Sequence, residues 1–461
     1  MQKLVSLMVV LTSTVVLAAD TWHVDSSAVG GDETGTGSPT SPFQTIGHAV
    51  IRASAGDTIV LAPGDYAETE GSTQVEVSGQ TVVSHVRVIV DKPLVFRAKD
   101  MSSRPRIVGR HDTADSGMGP AAIRGMWLTP EASGSELRGL EFVDCASGYD
   151  ADGGPAGGLT SGGGVYVDGA ITVVDCAFLN CRAIRGAAIN ASNLVAVRSL
   201  FKGGSASKYG SAFRTARARA YNCVFDDNKS LSGSSVYVAS SDTPADIVNC
   251  TFVNNGDYVA NGGMCNCLVA DAISKQVSAV YSKMTNCVVN VPTTTYEIPA
   301  AQKCVQYKLS VPARCEVFSP LTGDYRLMPS ASSLTAADAD FLKNIPVEYR
   351  DVDFYGKPRL TGGVVYCGAV QGVAVRFGGG LSLTAAEAAR CPLLIDGKPA
   401  DIYTVSSSWA AKDTLPAVFE LTACPLAGTE LVAFRWVTLT VFWIGRVAAV
   451  FRRRLCRRSA N

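Results

Sequence analysis

Cys176-Ala177-Phe178-Leu179-Asn180-Cys181 is one copy of a pattern that recurs between about residues 137 and 290. A small residue or Cys comes first, an aromatic third, and Asp, Asn or Gly fifth. The same order returns in Leu140-Glu141-Phe142-Val143-Asp144-Cys145, Ser199-Leu200-Phe201-Lys202-Gly203-Gly204, Cys223-Val224-Phe225-Asp226-Asp227-Asn228 and Cys250-Thr251-Phe252-Val253-Asn254-Asn255. Weaker echoes are Cys267-Leu268-Val269 and Cys287-Val288-Val289. The phenylalanines lie 36, 23, 24 and 27 residues apart, which is the spacing of a repeat architecture. A second phase runs between them, in Gly162-Gly163-Gly164-Val165-Tyr166, Gly186-Ala187-Ala188-Ile189, Gly210-Ser211-Ala212-Phe213 and Gly233-Ser234-Ser235-Val236-Tyr237.

Each repeat thus holds two short strand-like segments, apolar at alternate positions and bounded by turn residues. Such a unit cannot bury a face alone, but stacked coil on coil it can. No amphipathic helical stretch interrupts the series. The expected fold is all-β, a parallel β-helix with inward positions stacking about 4.8 Å apart. Phe faces the lumen in this reading, and the Asp, Asn and Gly residues form corners, where a left-handed backbone is needed. Cys176, Cys223, Cys250 and Cys287 fall at one aligned position and are expected as a ladder of small, buried thiols. In-register neighbours have parallel Cβ directions, a poor geometry for a disulfide. Cys265 and Cys267, two apart on a strand, are not read as a metal or redox pair.

Composition agrees with this. The 461 residues carry 41 Lys+Arg against 41 Asp+Glu, so no global field recruits nucleic acid or anionic lipid. Charged residues are 18%, below the roughly 25% of an average globular protein, which disfavours disorder and coiled coil. Fourteen Cys in so long a chain is too few for a disulfide-built scaffold, so the core must come from apolar burial.

Both termini read as addresses. Lys3, the apolar run Leu4 to Leu17 and the small pair Ala18-Ala19 have the layout of a secretory signal peptide, placing the mature protein outside the cytoplasm. Leu431 to Phe451 is apolar, with Arg435 and Arg446 near its ends, and is followed by Arg452, Arg453, Arg454, Arg457 and Arg458. That order reads as a transmembrane stop whose arginines stay cytoplasmic.

The opening of the mature chain is Trp22-His23-Val24-Asp25, Asp32, Gly35-Thr36-Gly37-Ser38, Ser41-Pro42-Phe43-Gln44-Thr45-Ile46 and Gly56-Asp57-Thr58-Ile59-Val60-Leu61-Ala62-Pro63-Gly64-Asp65-Tyr66. It resembles the start of secreted bacterial right-handed parallel β-helix proteins of the pectate-lyase-like superfamily. Asp324-Tyr325-Arg326-Leu327, Asp351-Val352-Asp353, Gly356-Lys357-Pro358-Arg359 and Gly368-Ala369 resemble the last coils of members that carry a variable C-terminal surface anchor. The resemblance implies a right-handed solenoid, capped by a short helix at about Ile46 to Ala55 before a first rung at Thr58 to Ala62. The expected organisation is a signal peptide (1–19), a cap and first coil (20–66), a parallel β-helix (67–370), a small module or stalk (371–430) and an anchor with a basic tail (431–461).

The fold does not fix a function, because the same solenoid serves lyases, hydrolases, adhesins and surface coat proteins. The expected function is a surface-displayed, glycan-binding or adhesive protein, and the alternative is a polysaccharide lyase or glycoside hydrolase acting on an acidic polysaccharide. Lyases of the superfamily use an Arg or Lys base beside carboxylates holding calcium. The candidates here are Arg217 and Arg219, two apart on one strand-like stretch, with Lys208 and Asp226-Asp227 nearby in sequence. Asp150 and Asp152, alternating before a Gly turn, are the candidate ligands if calcium is the cofactor. His23, His48, His85 and His111 form no metal pair, and Asp351 and Asp353 read as turn residues. The expected partner is a polysaccharide or cell-surface glycan met by a monomer, with the membrane reached through the C-terminal segment and no nucleic acid involved.

Overall fold

The computed structural model describes residues 19–371 except 68–70, 78–79, 114, 149–159, 232–234, 239–245, 256–262, 271–283, 292–304, 309–316, 320–323, 328–336 and 361–363. Beyond 371 it describes only the strands named below. The expected signal peptide lies outside these residues, apart from Ala19.

The fold is the expected parallel β-helix: among the described residues of 20–310 nearly every strand pairs in parallel with the strand one coil away. Each central coil has three faces. The first holds Ile123–Leu128, Val165–Val167, Val236–Val238 and the leading halves of Ile189–Val197 and Phe213–Tyr221. The second holds Ser135–Arg138, Ala170–Val174, the trailing halves of those two long strands, and Asp246–Val248. The third holds Glu141–Val143, Ala177–Leu179, Leu200–Lys202, Val224–Asp226 and Thr251–Val253. A narrow sheet of Arg182–Arg185, Ser205–Tyr209 and Lys229–Ser230 joins the third face to the first.

The residue choices follow from this coil. Phe142, Phe178, Phe201, Phe225 and Phe252 stack through the lumen with centroids 4.6–5.2 Å apart and rings within 10° of parallel. The corner from second to third face is a column of left-handed residues, Gly139, Asp175, Arg198, Asn222, Asn249, Asn266 and Asn286. Asn and Asp tolerate that backbone best among residues with a side chain, which is why they recur there. The next corner repeats the device at Asp144, Asn180, Gly203, Asp227 and Asn254. Inside it, Asn228 donates to the Phe201 carbonyl and Asn255 to the Phe225 carbonyl.

No two described cysteines are bridged, as expected. They do more than fill space. The amides of Cys223, Cys250 and Cys267 donate to the sulfurs of Cys250, Cys267 and Cys287, each at 3.4 Å, and those sulfurs reach carbonyls in turn. Burial pushes the Cys176 thiol up to about 12, and burial with neighbouring thiols holds Cys250 and Cys267 well above their ordinary range. The thiolate is the reactive form. Iodoacetamide at pH 8 should therefore leave Cys176, Cys250 and Cys267 unlabelled in the folded protein and label them in urea. Peptide mass mapping reads this, and native labelling of Cys250 would contradict a closed thiol ladder.

The family-like opening is a structural device. Asp32 accepts from the amides of Gln44 and Thr45 and from the Thr45 hydroxyl, and Thr45 Oγ1 caps the helix Ile46–Arg52 by accepting from the His48 amide. Ile46, Ala49 and Val50 of that helix close the lumen. Asp57 accepts from Trp22 Nε1 and from the amides of Asp20 and Ser54, tying the cap to the first rung. Asp353 likewise binds the amides of Tyr355, Lys357 and Gln371, the turn role expected for it.

The described residues between 317 and 371 return along the outside of the solenoid as a strap. Ile345, with Leu342 and Tyr349, covers Val174, Val197, Tyr221 and Val248 on the second face. Val317, Tyr325, Leu327, Cys367 and Ala369 cover Val224, Leu268 and Val288 on the third. Corner amides hold it: Asn222 donates to the Tyr349 and Val352 carbonyls, and Asn266 exchanges two hydrogen bonds with the Asp338 backbone. None of the described strap residues packs on the first face.

The described C-terminal strands are antiparallel. Val375–Leu383 pairs with Leu415–Leu421, and Leu393–Ile395, Lys398–Pro399, Ala433–Arg435, Thr440–Phe442 and Val450–Phe451 share a sheet. Three of these lie in the segment expected as an anchor, and no helix among the described residues is long and apolar enough to cross a membrane.

Candidate functional site

The outward column of the first face is fixed by register: Ile89, Trp127, Tyr166, Asn190, Arg214 and Tyr237 stand side by side on successive coils. Every one follows an inward residue, such as Val165, Ile189, Phe213 or Val236, because side chains alternate along a strand. Arg185 and Tyr209, paired neighbours on the narrow sheet, flank the same column.

Aromatic pairs sit at both ends of this array. Trp127 and Tyr166 have centroids 4.6 Å apart, and Tyr209 stacks on Tyr237 at 4.2 Å. The middle is polar: Arg214 donates to Asn190 Oδ1 at 3.3 Å, and Arg185 Nε donates to the Tyr209 hydroxyl at 3.0 Å with its guanidinium over that ring. Trp127, Tyr166, Tyr209, Tyr237, Arg185 and Arg214 are all half-buried, presenting ring and guanidinium surface to solvent while held by neighbours. No carboxylate pairs with Arg185 or Arg214 among the described residues.

Arg124 packs against the Trp127–Tyr166 end of the array. Fully buried, it donates to the Gly162 and Ser161 carbonyls at 2.8 Å, and its guanidinium lies 4.7 Å from the Trp127 centroid. Burial draws it down to about 9. Burial, then Asp168, raises the Tyr166 phenol, so this residue serves as a neutral hydroxyl-bearing ring.

The residues singled out from sequence are distributed differently. Arg217 and Arg219 share the outer surface of the second face, as alternation predicts, with Arg219 Nε 3.9 Å from Asp246. Lys208 is exposed on the narrow sheet, one residue before Tyr209. Asp226 lies on the third face, buried beneath the strap, where it accepts from Lys202 and the Tyr325 hydroxyl, each at 2.8 Å. Asp227 is a left-handed corner residue paired with Lys229. The expected array of Arg217, Arg219, Lys208, Asp226 and Asp227 is therefore spread over three surfaces rather than gathered into one site. Asp150 and Asp152 lie outside the described residues, and no cluster of His, Cys, Asp and Glu able to hold a metal occurs among the described ones.

Arg214 belongs to the first face although it sits on the same strand as Arg217, because the strand bends between them. Thr215 and Ala191 pair across the coil, as do Arg217 and Asn193, with Ser192 and Ala216 at the bend. The buried Thr215 hydroxyl accepts from the Arg217 amide at 3.2 Å and lies 3.1 Å from the Ser192 carbonyl, fixing the angle. The sequence reading missed the first-face column; the signal that could have found it is the position after each inward residue of the second phase, held by Tyr166, Asn190, Arg214 and Tyr237.

Residues 29–75 match the model of a family described as a protein of unknown function, DUF1565. No curated protein matches the chain. Among solved structures, a pectate lyase, Pel9A, is similar at 11% identity over 77% of this chain and 97% of its own, with a TM-score of 0.38. A rhamnogalacturonan lyase is similar at 11% identity over 59% of this chain and 68% of its own, with a TM-score of 0.25. By its own coil and register, the chain is a parallel β-helix protein.

Proposed function

We propose that the protein is exported and binds a glycan along the first face, the rings taking sugar faces and Asn190, Arg185 and Arg214 taking hydroxyl and acidic groups. The observation that carries this reading is the pairing of two stacked aromatic couples with two guanidiniums that no described carboxylate neutralises, on the face that the described strap leaves uncovered. Half-buried Trp and Tyr rings offer large, rigid contact area at small entropic cost, and guanidinium forks favour carboxylate or sulfate substituents. Display at the cell surface through residues 431–461 belongs to the same proposal and is read by membrane fractionation of the intact chain against one ending at 430.

Affinity electrophoresis of the full chain against neutral and uronic-acid polysaccharides tests the binding. The Tyr166→Ala and Tyr237→Ala variants should each weaken retardation about tenfold, the effect of removing roughly 1–2 kcal/mol of ring contact. Retardation unchanged in both variants would overturn the first-face reading. Unsaturated product or new reducing ends released from the same polymers would replace binding by turnover as the activity.

A further inference from the structure

The end of the strap crosses the corner between the second and third faces at one coil per residue. Cys367 Sγ donates to the Asn286 carbonyl at 2.9 Å, and the Gly368 amide donates to the Asn266 carbonyl at 2.8 Å. The Ala369 amide donates to Thr251 Oγ1 at 2.8 Å, in the coil of Asn249. Arg359 fastens this run, its Nη2 donating to the Tyr366 carbonyl at 3.1 Å and to the Gly368 carbonyl. The guanidinium therefore sits opposite the Asn266 coil, with Asn249 and Asn286 one coil to either side. The thiols of Cys250 and Cys267, which follow Asn249 and Asn266 in the chain, are among the groups that act on its charge.

Two side chains in this corner lack a partner. Arg359 and Asn249 are both 0% exposed. Arg359 Nε and Nη1 have no acceptor, and neither atom of the Asn249 amide is bonded. The contrast with the coils beside it is sharp, since the Asn222 and Asn266 amides hold the strap backbone. Arg359 is also a buried charge outside any ion pair with a described carboxylate. Asp353 is the charge that acts on it most strongly, yet Asp353 Oδ1 accepts from the Tyr355 and Lys357 amides and Oδ2 from the Gln371 amide. Burial raises the Asp353 carboxyl more than the guanidinium lowers it, so the two charges do not compensate each other. Burial draws Arg359 down to about 10, which leaves it charged at neutral pH.

A buried, hydrogen-bond-deficient charge is costly, and its donors fix what relieves it. The groups offered are N–H donors from a guanidinium and an amide, closed off from solvent. A neutral hydroxyl would satisfy a donor and leave the charge. A compact anion accepts from all of them and compensates the charge as well.

We propose that Arg359 and Asn249 bind a halide ion between the strap and the corner, and that this ion is a ligand that fastens the strap to the coils. The site lies beneath the strap, away from the first face, and does not depend on what that face binds.

Limited proteolysis of the full chain in sodium chloride or sodium bromide, against sodium gluconate at equal ionic strength, tests this. A ligand that binds only the closed strap suppresses its opening in proportion to site occupancy. Both halides should therefore slow cleavage within 317–371, about tenfold at about ten times the half-saturating concentration. Gluconate, too large for a closed site, should give no protection. Asn249→Asp keeps a residue that tolerates the left-handed backbone at φ 53° and sets a carboxylate beside Arg359 in the place of the ion. Its cleavage should be equally slow in chloride and gluconate. Asn286→Asp, the same change at φ 52° on the other side of the Asn266 coil, should keep the halide dependence of the parent. Protection that is equal in gluconate or fails to saturate, or that survives Asn249→Asp, would overturn the proposal. Crystals of the parent grown in bromide give a reading independent of any variant's folding. An anomalous peak at Arg359 Nε and Nη1 is expected, and ordered water there without anomalous signal would overturn the proposal.

Discussion

Phe201→Ala is expected to lower the stability of the solenoid by about 3–5 kcal/mol, the range for deleting a buried ring that its surroundings cannot fill. Phe201 is the middle of the ladder. Its ring stacks on Phe178 at 5.2 Å and on Phe225 at 5.1 Å, and meets Phe213 edge-on at 5.7 Å. Removing it takes away three aromatic contacts and opens a cavity in a lumen where strands of the adjacent coils keep their backbone spacing. Because coils interact mainly with their neighbours, the loss also uncouples the coils on either side. Urea unfolding followed by far-ultraviolet circular dichroism should show an earlier and broader transition. Phe252, with one ring partner at 4.6 Å, gives the internal comparison, and Phe252→Ala should cost less. Equal midpoints for parent and Phe201→Ala, or a larger loss for Phe252→Ala, would show that the rings are not the coupling element.

The ladder was legible in sequence because it depends on local spacing alone. Phe142 to Phe252 recur at one place in each repeat, and the residues that follow them have to make a corner whatever else surrounds the coil. The cysteine column was legible as small and buried, whereas its N–H···S bonds were not, since they need the register of two coils at once. The first-face array shows a different limit. Tyr166 and Tyr237 are 71 residues apart in sequence and become members of one column only through the intervening coils. Counting alternation from Arg217 misplaces Arg214, since the bend at Ala216 changes which parity faces outward. Asp226 shows the strongest limit: as sequence it is a carboxylate beside Asp227, and its partner Tyr325 lies 99 residues away on a segment with no repeat to announce where it packs.

Asp226→Ala should therefore act through the strap and not through a reaction. The carboxylate is 2% exposed and accepts from the Tyr325 hydroxyl at 2.8 Å, from Lys202 Nζ at 2.8 Å and from Asn254 Nδ2 at 3.3 Å. Burial, with Asp226 alongside, holds the Tyr325 phenol far above its ordinary value, so the hydroxyl keeps its hydrogen and serves as a donor to Asp226. Truncating Asp226 leaves that hydroxyl buried with its acceptor gone, at a cost of about 1–3 kcal/mol. Lys202 adds less, because its side chain is 32% exposed and water can replace the lost carboxylate. The expected sum is about 2–3 kcal/mol, concentrated where Asp324–Leu327 packs on the third face. Tyr325→Phe should cost less, about 1 kcal/mol, since Asp226 keeps Lys202 and Asn254. The double variant should cost less than the sum of the two singles, because both remove the same bond. Limited proteolysis should cut Asp226→Ala within 317–371 before the coils are attacked, and should leave the first-face aromatic column, and any glycan bound there, in place. Early cleavage within the coils, or additive losses in the double variant, would mean that Asp226 does not hold the strap through Tyr325.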